Sequence, residues 1–168
     1  MAKKIQDTTQ KGSPLKRHEA LIPFSKDHHF VLLLSWKIRR GRQMNIEQAR
    51  IVNYVNYFFR TQLATHMMAE ETYLLPLLPD RDPMKLEIIA HHERLRELFN
   101  HLYLNTANTG YTLDAIEEEL EAHIRFEERT FFPYIQAQLS QNKLAALAKQ
   151  LNDSKEPIID SWEDPYWA

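Results

Sequence analysis

At 168 residues the chain is long enough for one domain with its own core, and apolar (43 %) and charged (26 %) fractions are those of a soluble globular protein. A net charge of −2 gives no electrostatic footprint for nucleic acid or an anionic membrane, and the absence of cysteine removes disulfides, thiolate metal sites and Cys nucleophiles together. No apolar run approaches the ~20 residues of a bilayer crossing, no apolar h-region follows Lys3 and Lys4, and three glycines are too few for a β-rich chain; the expectation is a cytoplasmic, helical protein without a membrane segment.

Residues 1–17 are polar and basic, contain Gly12 and Pro14, and read as a flexible lead-in. Ser25 is placed to cap a first helix running through Asp27, His28 and His29 to about Arg40, with Gly41 ending it. Its apolar side is set by Val31, Leu32, Leu34 and Ile38. His28 falls on that side, whereas His29 shares the other with Lys26, Lys37 and Arg40. A second helix from about Ile46 to Leu75 carries the stripe Val55, Phe59, Leu63, His66, Glu70, Tyr73, so a polar pair continues an apolar face. Pro76, Pro79 and Pro83 mark the next turn.

The third helix, about Met84 to Asn105, has Ile88, Leu95, Leu98, Phe99 and Leu102 on one side. His91 and His92 flank that stripe almost equally, and periodicity alone does not choose between them. After the turn-rich connector 105–110, Thr112 is the expected cap of a fourth helix, about Leu113 to Leu139, with the stripe Leu113, Ile116, Leu120, His123, Glu127 and a kink expected at Pro133. Ser140 opens a shorter segment with Leu144, Leu147 and Leu151 at helical spacing. The end, which includes Trp162, Tyr166 and Trp167, is too aromatic to hang free and is expected to pack along the bundle or against a second copy of the chain. The expected architecture is all-α: an antiparallel up-down-up-down four-helix bundle over residues 18–139, then a short C-terminal helix and packed aromatic tail over 140–168.

Two stretches repeat 57 positions apart (66 to 123): His66, Glu70, Glu71 and Pro76 are matched by His123, Glu127, Glu128 and Pro133. Residues four apart on a helix share a face at about 6 Å. A lone inward histidine is most often a hydrogen-bonded core residue, and a lone His-x3-Glu an ordinary surface pair. Two such pairs facing inward, with one inward histidine on each remaining helix, are different, because buried carboxylates are costly unless a cation compensates them. His28, His66, Glu70, His92, His123 and Glu127 are the expected metal ligands. Four imidazoles and two carboxylates suit a pair of first-row transition ions, iron above zinc, with the glutamates bridging and positions left for water, an oxo or hydroxo bridge, or dioxygen.

These pieces resemble the hemerythrin-like (HHE cation-binding) family. The resemblance rests on Ser25 to His29, on His66-x3-Glu70-Glu71 followed by Pro76, on His92 with Leu95, and on His123-x3-Glu127-Glu128 followed by Pro133. It implies a non-haem di-iron centre in a four-helix bundle, and its third-helix pattern matches His92 better than His91. Oxygen-carrying members place a second histidine four residues on, where this chain has Arg96. Water, a locally displaced His91, or a carboxylate such as Glu71 or Glu128 are the candidates to fill that place. The leading expectation is a protein that binds or senses dioxygen or small oxidants, or buffers iron. A di-iron oxidoreductase acting on peroxide or nitric oxide and a metal-free helical scaffold are the alternatives, and homo-oligomerisation through the tail is a further expectation.

Overall fold

The structure is a computed structural model, and it describes residues 16–104, 107–154 and 158–168. The expectations for residues 1–15, for Asn105 and Thr106 and for the start of the tail at 155–157 lie outside these. Among the described residues every regular element is helical: α1 (Ile22–Gln43), α2 (Gln48–Phe58), α3 (Ala64–Tyr73), α4 (Pro83–Leu104), α5 (Thr109–Phe126), α6 (Phe132–Gln138) and α7 (Gln141–Ser154). Among the described residues no helix is long and apolar enough to cross a membrane.

α1 begins ahead of Ser25, with Pro23 in its first turn, where a missing N–H removes no helical bond. Nor does Gly41 end it. The helix stops in a Schellman arrangement: Asn45 takes φ 53°, its N–H reaches Arg42 O (3.1 Å), and Ile46 N–H reaches Gly41 O (2.9 Å). Gly41 is there for close approach, since a Cβ would lie 2.7 Å from Tyr166 Cε2 and 2.9 Å from Ile51 Cδ1.

The second and fourth helical courses are each interrupted. A π turn at Phe59–Leu63 joins α2 to α3, and another at Glu127–Phe131 joins α5 to α6. The latter lies where the ring of Pro133 would meet the carbonyl four residues back, so the expected kink takes the form of a widened turn. Pro76 instead follows the end of α3, in the 3-10 turn Leu75–Leu77. Thr112 is no cap: α5 starts at Thr109, and the Thr112 hydroxyl donates to Asn108 O (3.2 Å).

α1 packs on α5 and α2, and α4 on α5 and α2, so the four courses share one interior. That interior is two apolar clusters. One gathers Val31, Leu63, Met67, Leu95 and Leu120; the other gathers Phe24, Leu74, Ile88 and Phe131 and is closed off by Leu144, Leu147 and Leu151 of α7. On each course the chain passes from one cluster to the other; His28, Glu70, His92 and Glu127 fall in the stretch between, and His66 and His123 come just before Met67 and Ile124, the last residues of the first cluster on their courses. Full burial of each such apolar side chain contributes about 1.5–3 kcal/mol, which is what holds a polar layer in place between them.

The tail packs on its own chain. Ile158 and Tyr166 are buried, and Lys37, expected on the solvent side of α1, is 4 % exposed beneath it. Its ammonium donates to Asp160 Oδ2 (2.6 Å) and Tyr54 Oη (2.7 Å) and lies 3.7 Å from the centre of the Trp167 ring. Leu32, assigned to the apolar side, is exposed.

Candidate metal centre

All six expected ligands are buried, and none is more than 2 % exposed. They fall into two groups that share both carboxylates: His28, His66, Glu70 and Glu127, and Glu70, His92, His123 and Glu127. Within each group the four potential ligand atoms lie within 4.8 Å of one another. Periodicity left His91 and His92 open, and the structure separates them. His92 is fully buried, while His91 turns its Nδ1 outward to Glu119 Oε1 (2.7 Å). His29 and His101 are exposed, and His18 accepts from the Ala20 N–H at the head of the 3-10 turn Glu19–Leu21.

Each glutamate divides its two oxygens between the groups. Glu70 Oε1 lies 3.5 Å from His66 Nε2 and its Oε2 lies 3.3 Å from His92 Nε2. Glu127 Oε2 lies 2.9 Å from His28 Nε2 and its Oε1 lies 3.5 Å from His123 Nε2. None of these contacts is aligned as a hydrogen bond, so four imidazole Nε2 atoms and four carboxylate oxygens are buried without a hydrogen-bond partner among the described residues. Left so, each such group costs about 1–3 kcal/mol. A convergent set of nitrogen and oxygen atoms able to act as ligands is what a transition cation requires.

The outer nitrogens explain the orientation. A carboxylate can only accept, so His28 Nδ1 donates to Glu128 Oε1 (2.6 Å), His66 Nδ1 to Asp27 Oδ2 (3.0 Å) and His92 Nδ1 to Glu71 Oε1 (2.7 Å). In the neutral ring this leaves the Nε2 lone pair facing inward, the arrangement metal-binding histidines use. Glu71 and Glu128, candidates from the sequence to replace the absent third-helix ligand, are therefore engaged from outside, and Arg96 and Arg17 hold them there at 2.7 and 2.6 Å. Arg96 thus orients Glu71, which orients His92. Asp27 was missed as His66's partner; its signal was adjacency to an inward histidine on α1.

Charge follows geometry. Burial opposes protonation of His28, but Glu127 and Glu128 outweigh it and raise the ring to about 10; Glu70 and Glu71 likewise raise His92 to about 9 against its burial. His123, fully buried beside the cationic His92, is held well below its ordinary value. Glu127 is pushed up by burial and then by the charge of Glu70, whereas for Glu70 the imidazoles, His66 foremost, overcome burial and hold it down.

Comparison with known families gives a match to the hemerythrin HHE cation binding domain over residues 26–135, and a second, overlapping match over 86–154 that covers the second half of the repeat. Comparisons with curated proteins and with solved structures give no match. With both His-x3-Glu pairs inside the matched region, the chain belongs to the hemerythrin HHE cation-binding family.

Proposed function

We propose that this chain holds a non-haem di-iron centre at the heart of an antiparallel up-down-up-down four-helix bundle, and that it binds or senses dioxygen or a related small oxidant, or buffers iron. One observation carries the reading: two buried carboxylates, each with one oxygen directed to one pair of histidines and one to the other. His28 and His66 would hold one ion, His92 and His123 the other, and Glu70 and Glu127 would bridge them. When bound, a pair of iron ions with open coordination positions supplies electrons to a small oxidant.

The chain's own groups prepare the site. The two bridging carboxylates offset two positive charges in a layer that water does not reach, where attraction is weakly screened. Three carboxylates on Nδ1 fix the imidazole tautomers. Phe132 stacks on His28 at 5.3 Å and Phe24 stands edge-on to His66 at 5.9 Å, walling the His28 side with apolar rings. The second third-helix histidine of oxygen-carrying members is replaced by Arg96, so the His92 half offers one imidazole fewer than in those carriers, which favours sensing or buffering over reversible carriage.

The test is metal content. His66→Ala and His123→Ala should each lose iron, while the exposed His29→Ala and His101→Ala retain the amount held by the unaltered protein. Equal iron in all four variants would contradict the assignment.

A further inference from the structure

The repeat relates the two halves of the centre closely. The His28 and His66 rings are 5.2 Å apart at 69°, and the His92 and His123 rings 5.1 Å apart at 75°. The second glutamate of each pair crosses to the other half's leading histidine, Glu128 to His28 and Glu71 to His92, at 2.6 and 2.7 Å.

The correspondence breaks at one position. The residue before His28 is Asp27, which accepts from His66 Nδ1. Before His92 comes His91, whose ring lies 5.6 Å from that of His123 and whose own Nδ1 is taken by Glu119. His123 Nδ1 is buried with no hydrogen-bond partner among the described residues.

We infer that the half built on His28 and His66 takes its cation first and holds it more tightly, and that His91, standing where a carboxylate would complete the other half, sets the difference. This rests on the di-iron reading above. A carboxylate on Nδ1 commits the ring to the tautomer whose Nε2 lone pair faces the ion and makes that nitrogen a stronger donor; losing such a partner typically costs 10–100-fold in metal affinity. His123 lacks that commitment, so its proton can reside on Nε2, the atom a cation needs. His91 is a positioning residue: it lies against the His123 ring, but no hydrogen bond from His123 Nδ1 reaches it.

Repulsion between two neighbouring cations would separate the loading steps even in equal halves, so separation alone decides nothing. What decides is which histidines the tighter step depends on. The metal-free full-length chain would be titrated with cobalt(II), with calorimetry for affinity, native mass spectrometry for ion count and visible absorption for coordination. Two ions should bind, the tighter step surviving His123→Ala and vanishing in His66→Ala. His91→Asp should strengthen the weaker step by about tenfold or more, and the reciprocal Asp27→Asn should weaken the tighter one. A tighter step that survives His66→Ala and is lost in His123→Ala overturns the inference. So does a folded His91→Asp chain, checked by circular dichroism, whose weaker step is unchanged. Either result leaves two bound ions and the di-iron reading intact, whereas a chain that binds no ion at all overturns both.

Discussion

Glu127→Gln should make the metal-free protein more stable and the iron-loaded protein less so. Glu127 is fully buried, neither oxygen has a hydrogen-bond partner among the described residues, and burial and the Glu70 charge together raise its carboxyl above the ordinary range. A carboxylate raised in the folded state costs stability once the pH exceeds about 4.5, so at neutral pH its ionisation opposes folding. Glutamine keeps the shape and removes the charge. His28 loses a partner at 2.9 Å but keeps Glu128 at 2.6 Å. Relieving one poorly compensated buried group is worth about 1–3 kcal/mol, or about 2–10 °C in Tm at this chain length. Iron reverses the order, because free metal at 100 times Kd stabilises the unaltered protein by about 2.7 kcal/mol and the variant has lost a bridge. Calorimetric melts at pH 7, in chelator and with anaerobic iron(II), read both states, and the variant's advantage should shrink as the pH falls toward about 4.5 and be absent below it. A metal-free variant that melts below the metal-free parent would refute the reasoning, since it would mean the protein itself compensates this carboxylate.

Three other outcomes follow from the same structure. Iron uptake should release protons, since His28 and His92 stay protonated to about 10 and about 9 in the metal-free fold and must each clear Nε2. Those raised values stabilise the metal-free fold fully below about 6.5, and the contribution disappears as pH rises through 9 and 10, so the gap between loaded and metal-free Tm should widen from pH 6 to pH 9. Asp160→Ala strands the buried Lys37 ammonium and should cost about 3 kcal/mol in urea unfolding without altering iron content, which would separate tail docking from the centre. Gly41→Ala gains about 1 kcal/mol of helix propensity but drives a methyl into Tyr166 and Ile51, an overpacking worth about 1–3 kcal/mol; net destabilisation with a red shift of tryptophan emission is expected, and an unshifted spectrum would contradict tail contact there.

The inward layer was legible because its spacing is local. Four-residue steps put His66 with Glu70 and His123 with Glu127 on one face whatever the neighbours do, and His28 followed from the apolar residues around it. What remained hidden depends on contacts between distant segments. Lys37 looks solvent-facing on a wheel, and is buried because Asp160, 123 positions away, brings the tail over it. Glu71 and Glu128 sit beside Glu70 and Glu127 in sequence, but their partners lie on another helix, so periodicity could not tell an inward carboxylate from an outer support. His91 and His92 stood equal on the stripe until Glu119 on α5 drew one of them outward. Gly41 reads as a stop by composition, while the real stop is an asparagine in the left-handed region four residues later. The two π turns have no periodic signature, although Pro133 marks the neighbourhood of one.

The most direct measurement is iron stoichiometry together with the Mössbauer spectrum of the freshly isolated, iron-supplied protein. A shared pair of carboxylates between two imidazole pairs predicts about two irons per chain, magnetically coupled to one another. A chain that retains no iron at full supply, or holds a single uncoupled ion, would contradict the account at its centre.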